Sequence, residues 1–449
     1  MNKLFGTDGI RGIANEYPMT TEISLNVGRA IAYLSKRKGH TPRIIIGRDT
    51  RLSGDMFESA IISGICSMGV NAISVGVMPT PGIAFLTHDM RADAGIVISA
   101  SHNPSQDNGI KIFNNKGFKL SDEKENQIEE LIFANNMHKL HPVPKELGKV
   151  SRLDDAAGRY VDFLKSTFPQ EINPEGMKVV LDCSNGATYR VATEVFTELG
   201  VEVTTIFDKP DGKNINLNCG SQHTETLVAE VLRQSADVGF AFDGDGDRVI
   251  AVDEKGNVLT GDRMLAICSI ILKREGKLKN NLSVRTVMSN LGLTVTFQKL
   301  GIESVFTNVG DRFVLEEMLA RGAIIGGEDS GHLIFLQHHT TGDGLITALQ
   351  VLAAMKKGDK SLSELAGIMK VFPQMLINID VKRKPEIETV PEIMAAIKKA
   401  ENALGDKGRV LVRYSGTQNM CRVMVEGPTK KETKKYCQLI ADVVKKILR

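Results

Sequence analysis

What the chain lacks narrows its class first. Lys and Arg total 56 against 54 Asp and Glu in 449 residues, a formal net charge of +2, so the electrostatic footprint of a nucleic-acid binder is missing. The six cysteines, Cys66, Cys183, Cys219, Cys268, Cys421 and Cys437, never fall into a Cys-x-x-Cys spacing. That argues against a zinc site or a disulfide framework and leaves free thiols in a reducing compartment. No run is long and apolar enough to cross a bilayer, and the first residues, Met1-Asn-Lys-Leu-Phe-Gly-Thr-Asp-Gly9, carry no apolar signal core. The expectation is a soluble, cytoplasmic protein that binds neither nucleic acid nor membrane. Its length exceeds what one hydrophobic core serves and suggests roughly three domains.

What is there begins with Asp243-Gly-Asp245-Gly-Asp247-Arg248. Three carboxylates on alternate residues can close around one hard cation, and glycines let the backbone turn tightly enough to bring their oxygens together. Two other readings stand beside this one. Asp243, Asp245, Asp247 and Glu254 occupy positions 1, 3, 5 and 12 of a calcium-loop pattern, although Arg248 stands where that pattern needs glycine. Asp-Gly repeats are also ordinary turn chemistry. The apolar run Val238-Gly-Phe-Ala-Phe242 places the aspartates at the end of a buried strand, where open α/β sheets bind ligands.

A repeat emerges when strands and helices are sketched. Strand Arg43–Ile46, a helix over 55–68 and the run Gly69–Val75 form one β-α-β unit; 178–181, 189–199 and Gly200–Ile206 form a second; 285–288, 293–300 and Gly301–Phe306 form a shorter third. Each helix stops at a glycine suited to the left-handed helix end, and a β-branched run follows. Three similar α/β domains are implied, with boundaries at the proline-rich 141–148 linker, whose preceding helix spans 122–135, and near 254–256 and 369–373. The expected domains are 1–150, 151–254, 255–369 and 370–449. The last is a smaller α+β unit of strand 374–381, helix 390–404, strands 409–413 and 422–426, and helix 430–448.

Ser99-Ala-Ser101-His102-Asn103-Pro104 ends the apolar strand 93–98 and offers the oxygen nucleophile that a metal could assist. Standing alone it is also an ordinary Ser/Asn/Pro turn. Lys111 could supply a proton-transfer amine or be a snorkelling strand lysine. Gly327-Glu328-Asp329-Ser330-Gly331-His332 and Arg413-Tyr-Ser415-Gly416-Thr417-Gln418, followed by Arg422, add loops of mixed charge. The latter suits an oxyanion, because guanidinium forks, hydroxyls and backbone N–H groups all donate.

Taken with Phe5-Gly-Thr-Asp-Gly-Ile-Arg11-Gly12, these segments resemble, in order and over the whole chain, the α-D-phosphohexomutase superfamily, most closely the bacterial phosphoglucosamine mutases. The resemblance implies four domains around a central cleft, three α/β and one smaller α+β. It implies that Ser101 is the phosphoserine and that Asp243, Asp245 and Asp247 hold one Mg²⁺ with the Ser101 oxygen. Arg11, His102, Lys111 and Arg248 match residues lining the transfer centre, Lys111 as general acid or base and His332 as a second. Glu328 and Ser330 match the sugar-holding loop, and Gly310-Asp311 a loop facing the sugar. Arg413, Ser415, Gly416, Thr417 and Arg422 match the site for the phosphate that is not being transferred.

The implied reaction interconverts glucosamine 6-phosphate and glucosamine 1-phosphate through a bisphosphorylated sugar, with sugar 1,6-bisphosphate as activator and an activating kinase as a partner; oligomeric state stays open. A phosphomannomutase or phosphoglucomutase of the same fold is the alternative, and a metal-dependent sugar phosphatase a third. The chain departs from the family pattern at Tyr414, Gln418 and Asn419 of the phosphate loop and at Asp329 of the sugar loop. An acidic Asp329 could pair with a 2-ammonium group or face solvent.

Overall fold

The computed structural model describes residues 3–6, 8–37, 39–134, 137, 142–415 and 419–449. They form two compact units, one of residues 1–287 and 303–367, the other of 288–302 and 368–449.

The first unit holds three sheets built on one plan. Strand Arg43–Arg48 runs parallel to Asn71–Val77 on one side and to Ala94–Ile98 on the other, and Ala94–Ile98 turns back into antiparallel Asp107–Asn114. Lys178–Asp182 stands in the same way between Glu202–Ile206 and Val238–Phe242, which returns as Val249–Asp253. Leu282–Thr286 repeats it between Glu303–Thr307 and Ile325–Gly327, which returns as Leu333–Phe335. The β-α-β repeat expected from the sequence is therefore three parallel pairs. The helices of the first two end, as expected, at Gly69 and Gly200, both in the left-handed region (φ 75° and 81°), where a side chain would be strained.

Strands Ala94–Ile98, Val238–Phe242 and Val249–Asp253 are buried at every residue. Their apolar runs do not alternate because helices cover both faces. The plan has one functional consequence: the turn between third and fourth strands recurs three times. In the first sheet it is 99–106 with Ser101, in the second 243–248 with the aspartates, and in the third 328–332 with Glu328 and His332.

Several elements differ from expectation. The first sheet continues through Val150–Arg152, which pairs with Asn71–Val77, and the second through Val258–Leu259, the hairpin partner of Val249–Asp253. Both sheets thus run past the boundaries placed at 150 and 254, because a turn with good breaker chemistry lies inside a sheet in each case. The strand expected at 285–288 is Leu282–Thr286. The helix expected at 122–135 is Asp122–Phe133; Asn135, like His141 of the proline-rich linker, lies outside the described residues.

The second unit has a three-stranded antiparallel sheet, Gln374–Asp380, Met420–Glu426 and Arg409–Tyr414, with Met420–Glu426 central. Helices Pro391–Leu404 and Lys430–Leu448 bury Ile393, Ile397, Ile440 and Val444 with Val423 and Val425. Helix Leu291–Leu300, expected within the third α/β domain, groups here instead. Its first amide, at Leu291, donates to the carboxylate of fully buried Glu426 at 3.2 Å. Arg409 donates to that carboxylate at 2.8 Å and to Ser289 O at 2.7 Å, so the helix N-terminus and the guanidinium share one anion.

Candidate active site

Ser101 follows a fully buried strand and takes a left-handed backbone conformation, φ 53°, unusual for a residue with a side chain and costing about 1–3 kcal/mol. Its surroundings over-determine that shape. Ser101 N donates to Ser99 Oγ at 2.9 Å, and Ser99 Oγ donates to Asp49 Oδ2 at 2.6 Å. Arg51, 1% exposed, is paired with Asp49 at 2.9 Å. It donates to Ser101 O at 3.0 Å, Asn103 O at 2.8 Å and Asp107 O at 3.0 Å, and also to Pro104 O. Asn216 Nδ2 reaches Ser101 O and Asn103 O, each at 2.9 Å. A loose turn would not be held by so many donors.

The facing turn supplies the acids. Asp243, Asp245 and Asp247 are buried, and one oxygen from each lies within 4.8 Å of the others. Ser101 Oγ donates to Asp243 Oδ2 at 2.5 Å. Gly244 permits this approach, since a Cβ there would lie 2.6 Å from Ser101 O. Asp245 is held by Thr80, whose Oγ1 donates to Oδ2 at 2.5 Å.

Among the described residues, Asp245 Oδ1 and Asp247 Oδ1 are buried with no hydrogen-bond partner. Burial, then repulsion from Asp247 and Asp245, pushes Asp243 well above the usual carboxylate range, an excess of negative charge that a cation relieves. The donor set therefore fits a hard divalent ion. The calcium-loop reading does not survive: the chain leaves Arg248 directly into a strand, and Glu254 bonds Ser363 N at 3.2 Å and Ser363 Oγ. A solvated turn is excluded by the burial.

Cations gather on the same carboxylates. Lys111, 2% exposed, lies 2.8 Å from Asp245 Oδ2, 3.3 Å from Asp247 Oδ2 and 3.3 Å from Asp8 Oδ2; it does not snorkel. Burial disfavours its charge, but Asp245, Asp8 and Asp247 outweigh that and hold it well above the ordinary lysine value. Arg11 donates to Ala100 O at 3.0 Å and pairs with Asp8. Arg248 lies 3.7 Å from Asp247 and 3.3 Å from His102 Nδ1. Burial, reinforced by Arg248 and Arg11, pushes His102 down to about 4. A guanidinium only donates, so Nδ1 of this neutral imidazole is the acceptor, and the same atom lies 3.3 Å from Ser101 Oγ.

From the third sheet, His332 Nδ1 lies 3.8 Å from Asp247 Oδ2, and Nε2 lies 3.7 Å from Asp311 Oδ2. Burial opposes its charge, but the bond to Asp247 and the fields of Asp247 and Asp311 raise it above the ordinary histidine value. Glu328 accepts from Gly310 N at 3.0 Å, which ties the two sugar-facing segments together. Ser330 Oγ is buried and free of partners among the described residues.

In the second unit, Arg413 and Arg422 stand directly opposite each other on paired strands. Nε of each is buried without a partner among the described residues. Burial and then the field of Arg422 lower Arg413 from its ordinary value. Like charges placed so are destabilising unless an anion joins them. Lys384 Nζ donates to Ser415 O at 3.2 Å, adding a cation that sequence reasoning missed. Gly416 and Thr417, and with them Gln418, lie outside the described residues.

Asp49, Arg51, Thr80 and Asn216 were missed as well. The signal for the first two was the charged Arg48-Asp-Thr-Arg51 set directly after an apolar strand; Thr80 and Asn216 carry no local signal.

Sequence models of the four consecutive domains of the phosphoglucomutase/phosphomannomutase family match this chain. The alpha/beta/alpha domains I, II and III match residues 2–139, 158–256 and 260–372, and the C-terminal domain matches 376–443. The chain is 71% identical over 448 residues, 100% of both chains, to a phosphoglucosamine mutase of Syntrophus aciditrophicus. It shares its fold with a phosphoglucomutase/phosphomannomutase family protein of Burkholderia thailandensis, at a TM-score of 0.81 and 22% identity over 99% of this chain and 97% of that one. It also shares it with the N-acetylphosphoglucosamine mutase of Aspergillus fumigatus, solved with GlcNAc-6P and magnesium, at a TM-score of 0.70 and 17% identity over 99% and 95%.

Proposed function

The chain belongs to the phosphoglucomutase/phosphomannomutase family, three similar α/β domains and a smaller C-terminal one, and from that premise we propose that it interconverts glucosamine 6-phosphate and glucosamine 1-phosphate. It is an intramolecular phosphotransferase. The substrate reading rests on the 71% identity to a phosphoglucosamine mutase over the full length. The observation that carries the chemistry is Ser101 Oγ, 2.5 Å from an aspartate of a buried triad that has two carboxylate oxygens without a partner among the described residues.

In this reading phosphorylated Ser101 gives its phosphoryl group to a sugar hydroxyl: the Oγ–P bond breaks, the new O–P bond forms, and the hydroxyl proton passes to His332. The bisphosphorylated sugar then turns around and returns its other phosphate to Ser101. Asp243, Asp245, Asp247 and the Ser101 oxygen would hold Mg²⁺, which supplies charge neutralisation on the transferring group. Lys111, kept protonated by three carboxylates, is in this reading the acid that gives the serine oxygen its proton in the first transfer and the base of the return. Arg11 and Arg248 present guanidinium donors to phosphoryl oxygens. Neutral His102 lines the transfer centre as the acceptor of Arg248, and His332 is the second acid or base.

Glu328, Ser330, Gly310 and Asp311 hold the sugar. Arg413, Ser415, Gly416, Thr417 and Arg422 bind the phosphate that is not in transfer, so that either end of the sugar can face Ser101. Sugar 1,6-bisphosphate primes the serine, as a kinase could, and the product feeds amino-sugar nucleotide synthesis in the cytoplasm.

The test is a coupled assay of the purified, phosphorylated protein with glucosamine, glucose and mannose phosphates. Glucosamine phosphate is expected to turn over fastest. Equal or greater turnover of glucose or mannose phosphate would overturn the substrate reading, and release of inorganic phosphate outpacing isomer formation would point to a phosphatase.

A further inference from the structure

Lys119 was singled out by no motif, yet it sits at the junction of two arms of the site. It follows the hairpin turn after strand Asp107–Asn114, and its side chain is 11% exposed. Its ammonium pairs with Asp8 Oδ1 on one side and Asp311 Oδ2 on the other. Asp8 presents its second oxygen to Lys111 at 3.3 Å, and Asp311 lies 3.7 Å from His332. Lys111 and His332 meet again on Asp247 Oδ2, at 3.3 and 3.8 Å. Six side chains, Lys119, Asp8, Lys111, Asp247, His332 and Asp311, thus close a ring in which basic and acidic residues alternate.

The ring draws on all three sheets of the first unit: Lys111 and Lys119 come from the first, Asp247 from the second, Asp311 and His332 from the third. Lys119 touches none of the three aspartates of the triad: its partners are Asp8 and Asp311. Removing its charge leaves Asp8 and Asp311 facing each other across the gap, two partly buried carboxylates 22% and 15% exposed. Like charges so placed repel, and the Asp8 carboxylate, left on Arg11 and Lys111 alone, would shift and draw Lys111 with it.

We propose that Lys119 is a positioning residue for phosphoryl transfer: through Asp8 it fixes the Lys111 ammonium over the aspartates, and through Asp311 it holds His332 and the sugar-facing Gly310-Asp311 segment in register with them. Its contribution is geometric, and it rests on the phosphoryl-transfer reading above. A displacement of about 1 Å at such a centre costs on the order of 100-fold in rate.

The variant to make is Lys119→Met. Its apolar end is accommodated, because Lys119 borders a cavity of about 400 Å³ whose walls include Ile112, Leu120 and Leu315. Lys119→Arg keeps the double ion pair, and Asp311→Asn cuts one arm while leaving Lys119 on Asp8. Two readouts are taken on the full-length protein: kcat and KM for the sugar phosphate, and backbone hydrogen exchange of the segments around Asp8 and Asp311.

In Lys119→Met, kcat is expected to fall on the order of 10- to 100-fold while KM moves less than about threefold, and both segments are expected to exchange faster. Lys119→Arg should restore kcat to within a few-fold of wild type, and Asp311→Asn should loosen its own segment and leave that of Asp8 protected. Turnover of Lys119→Met within twofold of wild type, unchanged exchange at both segments, or an effect confined to KM would overturn the proposal while leaving the assigned reaction intact. Wild-type protein without mutase turnover would instead sink the reaction, and the exchange data would then judge the Lys119 bridge by themselves. A Lys119→Met protein that does not fold would overturn a purely positioning role if Asp311→Asn, folded, exchanged and turned over like wild type.

Discussion

Two groups of basic side chains in this molecule treat their charge in opposite ways. Around Ser101, Lys111, Arg11, Arg248 and Lys119 are matched almost one for one by Asp8, Asp245, Asp247 and Asp311. In the C-terminal unit, Arg413 and Arg422 face each other across a strand pair, and no carboxylate among the described residues joins them. The first arrangement is a preorganised field that already has its counter-charges and can act on a transferring group without rearranging. The second is a pair of like charges, and in the proposed function an incoming phosphate relieves their repulsion and turns part of it into affinity. In the proposed function the former serves the transfer and the latter holds the sugar's phosphate that is not in transfer.

The contrast breaks first at Ser101. Ser101→Ala is expected to abolish mutase turnover while the melting temperature stays within about 2–4 °C, since only one hydroxyl is lost from a loop fixed by Arg51 and Asn216. Substantial residual activity in a coupled assay would remove the nucleophile from its place.

Next comes the matched centre's dependence on its own ions. Lys111→Met leaves buried Asp245 and Asp247 short of a cation and should destabilise the protein by about 3–5 kcal/mol in urea unfolding without added metal. Divalent metal should recover part of the loss. A loss below about 1 kcal/mol would mean that these charges are solvated after all.

Arg422→Ala is expected to behave differently. Loss of one charge-assisted contact to phosphate, worth about 1.5–3 kcal/mol, should raise KM about 10- to 100-fold with kcat little changed. Because it removes one of two like charges, stability should not fall. A drop in stability like that of Lys111→Met would show the arginine pair to be structural.

The smallest effect concerns a carboxyl that has neither arrangement. Asp182 is buried, accepts from Ser184 N and Gly220 N at 2.8 and 2.9 Å, and is pushed up by burial, against those two bonds, to about 7. Its folded value lies above its unfolded one, so its contribution to stability is complete below about pH 4 and is lost as pH rises through about 7. Asp182→Asn should flatten that part of the stability profile measured by urea melts at pH 5 and 8. An unchanged slope would assign the pH dependence elsewhere.

The same physics separates what could be read from the chain and what could not. The three β-α-β units were legible because each is local: an apolar strand, an amphipathic helix and a glycine stop lie within about forty residues of one another. Ser101 and the aspartates were legible as chemistry at strand ends. That both lie in the same turn of a repeated plan required the antiparallel return strands, whose pairing depends on the sheet. Asn216 and Thr80 were illegible because their partners lie 115 and 165 residues away, and Arg51, marked only by its charged setting after an apolar strand, holds a carbonyl 50 residues downstream. Helix Leu291–Leu300 was legible as the crossover of the third unit, and the family's domain III model spans it; the carboxylate that holds its N-terminus, Glu426, was not, because it lies 135 residues downstream.

The most direct test is to locate the phosphoryl group. Protein incubated with glucosamine 1,6-bisphosphate, digested and mapped by mass spectrometry should carry one phosphate, on Ser101, and a chase with glucosamine 6-phosphate should remove it as bisphosphate. Phosphate on another residue, or full turnover with Ser101 never labelled, would contradict the assignment of Ser101 as the carrier.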